Sequence, residues 1–447
     1  MASTVLSKTF TASNRKTFTI STWIKRTGLA SNYGILGSGT NSSTDRDSLY
    51  FESNDYLYFD AKVSSSVVAS FQTNRTFKDV GAFYHIVLAF DTTQATDTNR
   101  MKLYVNGELQ TFSSVTYPNQ NRDMNTNNTA HTIGAILGPV YYFDGLMSYF
   151  AFTDGTAYDA SYFGETDSSS GIWKIKTSPS VTYGTNGFFL KMDTSSPGTD
   201  TSGNTNTFTA AGTPTLAQDN ASNNFATWNP QINNGITGNW LNGNTTIAPN
   251  GDTPNLYAPV TIPVSKGKWY SEHMITGGNG HGSLGLAGAS NIAGMFKINF
   301  EPGETSPSFA FKCINGSIKM NGSNTTYGSA PGTSDAILGM AVDIDNKKVW
   351  YSINGTYVTY GGGVGNPASG TYGFDWSSLS DDFGWLIICG DSEVSGYGNW
   401  KSNFGNGFFG TTAVASSNAD AAGHGLFEYA VPTGYYTLNT KNLNTYG

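Results

Sequence analysis

The stretch "MKLYVNGELQTF" (Met101–Phe112) encodes a β-hairpin: an apolar-alternating run, Asn106-Gly107, then a second run. Asn-Gly favours the positive φ angles of a type I′ turn, whose twist matches that of paired strands. "KVWYSINGTYVTY" (Lys348–Tyr360) repeats the device in the second half of the chain, turning at Asn354-Gly355. Each hairpin follows an apolar run that ends in an acidic bend, "IVLAFDTTQATDTNR" and "LGMAVDIDNKK". Two antiparallel sandwiches built one after the other would produce this pattern. Independent use of a favoured turn would too, so a duplication does not follow.

The flanks read the same way. "KTFTISTWIKRTG" alternates Phe18, Ile20, Thr22 and Ile24 against other residues and stops at Gly28. "YGILGSG", "SLYFESNDYLYFDAK" and "VVASFQT" follow at short, turn-separated spacing. The near-continuous apolar run Ile86–Phe90 suits a central sandwich strand. "HTIGAI" and "FDGLMSYFAFTDG" complete a first series. A second begins at "GKWYSEHMIT" and runs through "GSLGLAGAS", "SFAFKCING" and "GWLIICGDS" to a tail, "GYYTLNTKNLNTYG", expected to pack back. The expectation is an all-β chain of two antiparallel β-sandwich (jelly-roll) domains in tandem, over residues 1–163 and 233–447. Residues 164–232 are rich in Ser, Thr, Asn and Gly and read as an extended connector with short strands. Trp173, Phe188, Phe189 and Trp228 argue that it leans on the first domain instead of hanging free.

Composition agrees. At 447 residues, two or three domains are expected. Charged residues make up 13%, against a usual ~25%, while aromatics reach 14%, ample surface to bury. Lys and Arg are scattered over a chain of net charge −8, which argues against a nucleic-acid partner. No segment approaches the ~18 apolar residues of a membrane span, so membrane insertion is not expected. Cys313 and Cys389 do not form a metal spacing; they could pair or be two buried thiols.

The first half resembles a laminin G-like, concanavalin A-type jelly roll in "FTISTWIKR", "FYHIVLAFD", "KLYVNGEL", "HTIGA" and "FDGLMSYFAFTDG". The second resembles a SPRY domain in "GKWYSEH", "LGMAVDIDNKKVWYSINGTY", "WLIICGD" and "NFG". Taken together, "NRKTFTISTWIKRTGL", "FGETDSSSGIWKIK", "NNFATWNP" and "GYYTLNTKNL" make the chain similar to tail-fibre-like proteins of bacteriophages. That resemblance implies a virion surface protein, a tail fibre or receptor-binding protein, assembled in the host cytoplasm beside other virion proteins. It implies a homo-oligomer, a trimer foremost, meeting a host-surface glycan or protein. Such fibres usually carry an anchoring region ahead of the jelly roll. Here the first strand starts near Met1, so a capsid-decoration, head-fibre or tail-accessory role stands as the alternative.

Hydrolysis finds little support. The jelly-roll glucanases resemble one another in a Glu-x-Asp-x-x-Glu strand with carboxylates about 5 Å apart, and no such string occurs. Glu52 and Asp55, at offset three, would face opposite sides of a strand, while Glu301 and Glu304 sit beside Pro and Gly. Polysaccharide depolymerase activity is the weaker alternative; no enzyme and no cofactor are expected. Calcium is the one plausible ion, since laminin G-like rims often hold it; Asp91, Asp97 and Asp144 are its candidate ligands, with solvated turn aspartates as the competing reading. Recognition is expected from rim loops carrying aromatics that stack on sugar C–H faces. The candidates are Tyr141, Tyr142, Tyr357, Tyr360, Trp376, Trp385, Tyr397 and Trp400, with His281 in a Gly-rich loop. Core packing is the competing reading for each aromatic.

Overall fold

The computed structural model describes residues 4–232, 238–249, 257–277, 282–291, 301–332, 335–391 and 398–447. The chain divides into two compact units, Met1–Leu216 with Asn220–Ser222, and Ala217–Asp219 with Asn223–Gly447. Both are all-β.

In the first unit an eight-stranded antiparallel sheet runs, edge to edge, through Phe112–Thr116, Ser66–Thr76, Tyr56–Val63, Asp45–Phe51, Tyr33–Asn41, Thr129–Ile133, Val5–Phe10 and Thr209–Ala211. A six-stranded sheet runs through Phe188–Leu190, Gly145–Asp154, Thr17–Arg26, Tyr84–Asp91, Met101–Val105 and Glu108–Leu109. Phe18, Ile20 and Ile24 meet Ile86, Leu88 and Phe90, and then Leu49, Phe51, Leu57 and Phe59 of the other sheet, in one core. Val87, between those inward residues, joins a second cluster with Ala151, Phe163 and Phe189. The strand Tyr84–Asp91 is covered on both faces, which is why its apolar run is nearly unbroken.

The expected connector is largely part of this sandwich. Phe188–Leu190 pairs with Phe150–Phe152, and Thr209–Ala211 pairs with Val5–Ser7, extending one sheet each. The boundary expected at residue 163 therefore falls at Leu216. Three-residue strands are too short to show a period, which hid them in the sequence. Residues 223–232 belong to the second unit, where Trp228 is buried and its Nε1 donates to Ser402 Oγ at 2.9 Å.

The second unit pairs Gly238–Leu241, Thr246–Pro249, Asn399–Asn403, Lys268–Thr276, Ile337–Asp343, Lys348–Ile353 and Thr356–Tyr357 in one sheet. Its other large sheet contains Tyr257–Pro259, Trp385–Asp391, Gly282–Gly288, Ser308–Lys312, Ser317–Met320 and Ser323–Thr326. The tail does pack back: Tyr435 and Leu438 are buried, and Tyr436–Thr437 pairs in parallel with Trp269–Tyr270. Cys313 and Cys389 are buried and form no disulfide with each other.

The two hairpins are built alike. Asn106 and Gly107 take φ of 49° and 85°, and Asn354 and Gly355 take 47° and 79°, as a type I′ turn needs. Asn106 Oδ1 accepts from His85 N at 2.8 Å, and Asn106 N donates to His85 O at 2.9 Å. Asn354 clasps Ile337 identically, through its Oδ1 and N, each at 2.9 Å. Asparagine is thus needed twice at each turn, for its φ and for its amide. Each glycine also lies under an aromatic ring from a later segment, Trp173 over Gly107 and Tyr429 over Gly355, leaving no room for a Cβ.

Candidate ligand-binding face

In the strand Asp45–Phe51, Leu49 and Phe51 enter the core, so alternation turns Arg46 and Tyr50 onto the outer face of the eight-stranded sheet. Register places Tyr58 directly opposite Tyr50. Their ring centroids are 5.3 Å apart at 61°. The segment after Thr129–Ile133 folds over the same face, and glycine permits it. A Cβ on Gly34 or Gly37 would collide with the backbone of residues 135–137. Gly34 N donates to Tyr141 O, and Ile136 N to Val140 O at 3.1 Å. Tyr141 is left at φ 55°, 44% exposed, with its ring 6.1 Å from that of Tyr50.

Between this loop and the sheet lies a recess of about 230 Å³ lined by Ser42, Arg46, Tyr50, Ile136, Leu137 and Tyr141 among others. Arg46 is anchored by Asp60 (2.7 Å) and by Ser42 O (2.5 Å). Burial, and then the Asp60 carboxylate, push the Tyr50 and Tyr58 hydroxyls up, so both stay protonated donors at neutral pH. The chemistry on offer is apolar ring faces bordered by neutral hydroxyls and one fixed guanidinium.

A larger, polar cup of about 510 Å³ opens at one end of the same sandwich, lined by Arg15, Thr40, Asp45, Val63 and several residues of 119–128. Asn125 of its lining is tied to buried Asp47, which accepts from Asn125 Nδ2 at 3.1 Å and from Thr126 N at 2.5 Å. Burial pushes the Asp47 carboxyl up to about 6 in spite of those bonds.

Of the residues singled out from sequence, Tyr141 lies on this face and Tyr142 follows it, half-buried. The loop tryptophans are core instead. Trp376, Trp385 and Trp400 are 0%, 2% and 1% exposed, with Trp376 and Trp385 rings 4.7 Å apart edge to face. No ligand reaches them in this packing. Tyr357 and Tyr360 are half-buried and pack on the second unit's hydrophobic clusters. His281 and Tyr397 lie outside the described residues. Tyr50, Tyr58 and Arg46 were missed, although the alternation of "SLYFESNDYLYFDAK" turns both tyrosines away from the core.

Asp91, Asp97 and Asp144 do not converge. Asp91 accepts from Thr17 Oγ1 and Asp144 from Thr27 Oγ1. Thr17 opens a ten-residue strand and Thr27 follows its last residue, about 30 Å apart at a strand's rise. Exposed Asp97 bonds Thr98 N at 2.7 Å. Carbonyls that could serve a cation beside Asp91 are taken by Arg100, which donates to Gln94 O, Ala95 O and Pro118 O at 2.8, 2.7 and 3.0 Å. Among the described residues, no group of three or more His, Cys, Asp or Glu could hold a metal ion.

Of the carboxylates weighed for hydrolysis, Asp55, Glu301 and Glu304 serve as counter-ions. Asp55 holds Arg26 at 2.8 Å, and Glu301 sits between Lys312 (2.7 Å) and Lys319 (2.6 Å). Among the described residues, His85 and His273 contact serines: Ser21 Oγ lies 2.9 Å from His85 Nε2, and Ser271 Oγ and Ser402 Oγ lie 2.8 and 2.9 Å from His273 Nε2 and Nδ1. Both imidazoles are fully buried, which holds each at about 3, so they pack as neutral rings out of a substrate's reach.

A model of the concanavalin A-like lectin/glucanases superfamily matches residues 3–160, within the first sandwich. Among solved structures, the chain is similar to the SPRY domain of human HERC1, at 14% identity over 39% of this chain and 96% of that one (TM-score 0.30). It is similar to a heptameric SAP-like pentraxin from Limulus polyphemus, at 18% over 35% and 71% (TM-score 0.26). Another human SPRY domain aligns at 16% over 35% and 90% (TM-score 0.25). No curated protein sequence matches the chain.

Proposed function

We propose that this chain is a non-enzymatic binding protein of a bacteriophage particle surface, and that the outer face around Tyr50, Tyr58 and Tyr141 takes a host-surface glycan. The observation that carries the binding reading is the tyrosine ledge itself. The rings of Tyr50 and Tyr141, the latter 44% exposed on a loop seated over glycines, border a recess with a fixed guanidinium, and the Tyr58 ring packs beside that of Tyr50. Sugar rings present C–H faces to such aromatics and hydroxyls to such donors. The particle reading rests on the sequence resemblance to tail-fibre-like proteins, as does assembly into a symmetric homo-oligomer, with a trimer first, beside other virion proteins.

An array of bacterial surface polysaccharides tests the ledge. The wild type should bind a subset, and Tyr58→Ala or Tyr141→Ala should weaken that binding about five- to tenfold, roughly 1 kcal/mol, with unchanged melting temperature. Undiminished binding by both variants would remove the ledge. For the particle reading, purified protein should compete with phage adsorption to a host whose polysaccharide it binds; a failure to compete counts against it.

A further inference from the structure

We propose that the cup at the end of the first sandwich is a second subsite of this glycan-binding surface and that it takes a sugar carboxylate, as on a uronic acid. The inference rests on the glycan reading above and adds the class of sugar. Cup and ledge flank the same turn. Thr40 and Asp45 line the cup, while Ser42 and Arg46 line the recess beside Tyr50. A chain of sugars crossing residues 40–46 meets both.

The charges of the cup are unequally committed. Asp45 is already satisfied, one oxygen accepting from Ser64 N at 3.0 Å and the other from Thr44 Oγ1 at 2.7 Å. Arg15 commits its Nε to Met124 O at 2.6 Å. Among the described residues, neither Arg15 nor Arg122 has a carboxylate partner, and Arg122 Nε is covered with no acceptor. The guanidinium of Arg122 therefore gains by turning toward an acceptor. The cup thus holds two arginines without a carboxylate partner among the described residues, together with Asp123 and the amides of Asn119, Asn121 and Asn128.

A guanidinium fork matches a carboxylate with two parallel charge-assisted hydrogen bonds. Carboxamides both donate to and accept from hydroxyls, and Asp123 accepts a hydroxyl proton. At about 510 Å³ the cup has room for a sugar residue. A site shaped for neutral sugars alone would have no use for two guanidiniums that lack a carboxylate partner.

The test is calorimetric titration of the full chain with an oligogalacturonate and with its carboxyl-reduced counterpart. The variants are Arg122→Gln and Tyr141→Ala, with melting temperatures checked for each. The wild type should bind the acidic form at least tenfold more tightly than the reduced one. Arg122→Gln should erase that preference, and Tyr141→Ala should weaken both forms alike. Equal wild-type affinity for the two forms, with Tyr141 still contributing, overturns the acidic subsite and leaves the ledge standing. A preference that depends on Arg122 while Tyr141→Ala changes nothing upholds the cup and overturns the ledge. Binding of neither form overturns both.

Discussion

Replacing Asp55 with alanine should cost about 3–5 kcal/mol of stability, because it strands a buried guanidinium. Arg26, on the strand Thr17–Arg26, has a side chain 1% exposed; its Nη2 bonds Asp55 Oδ1 at 2.8 Å and its Nη1 bonds Phe77 O at 2.5 Å. The guanidinium lies 4.2 Å from the Phe51 ring centroid. Burial pulls the Arg26 pKa down and Asp55 opposes it, yet arginine stays charged at any working pH. With Asp55 gone, no other carboxylate among the described residues pairs with Arg26 to replace the anion. Its carboxylate also accepts from Ala30 N at 3.0 Å, and its backbone sits at φ 67°. Asp55→Asn keeps an acceptor and tolerates that φ, so it should cost clearly less than alanine. Urea unfolding of the three proteins measures the difference, and a loss below 1 kcal/mol for alanine would show that Arg26 is solvated after all.

Glu272 makes the second unit's stability depend on pH. Its side chain leaves the strand Lys268–Thr276 on the face away from the core and catches the returning tail, accepting from Glu428 N at 2.9 Å and Tyr429 N at 2.8 Å. Tyr270 Oη donates to it as well, at 3.0 Å. Burial pushes this carboxyl up to about 7, against those bonds and with help from the Glu428 charge. An acid whose pKa is raised on folding stabilises the fold while protonated. That contribution is full below the ordinary glutamate range and is lost as pH rises from about 4.5 to about 7. Its size is about 3 kcal/mol, at 1.36 kcal/mol per pH unit.

Three buried histidines work in the opposite direction. Burial holds His85, His131 and His273 at about 3, 4 and 3, so their contribution is present above the free imidazole range and falls away as pH drops. They are common to wild type and Glu272→Gln, so the difference between the two proteins isolates the glutamate. The stability of the wild type relative to Glu272→Gln should decline by about 3 kcal/mol between pH 4.5 and 7.5 and stay flat above. An offset independent of pH would mean that the carboxylate is ionised throughout.

Much of the fold was legible because it rests on local rules. The two Asn-Gly turns, the run Ile86–Phe90 and the strand around Phe18 and Ile20 each carry their own signal, and all lie where that signal puts them. The connector was not legible, because Phe188–Leu190 and Thr209–Ala211 take their identity from distant partners. The site was half legible. Tyr141 stood out as a loop aromatic, and Tyr50 and Tyr58 were readable from alternation. The need for glycine at 34 and 37 appears only once residues 135–137 lie against them. Trp376, Trp385 and Trp400 mislead because a tryptophan in or just beside a strand packs inward when that strand faces another sheet.

Hydrogen–deuterium exchange of the full chain, with and without a polysaccharide it binds, tests the assignment of the binding face most directly. Protection should appear in residues 40–58 and 134–142, with 119–128 added when the sugar is acidic. Protection confined to the loops of the second unit, with those segments unchanged, would contradict it.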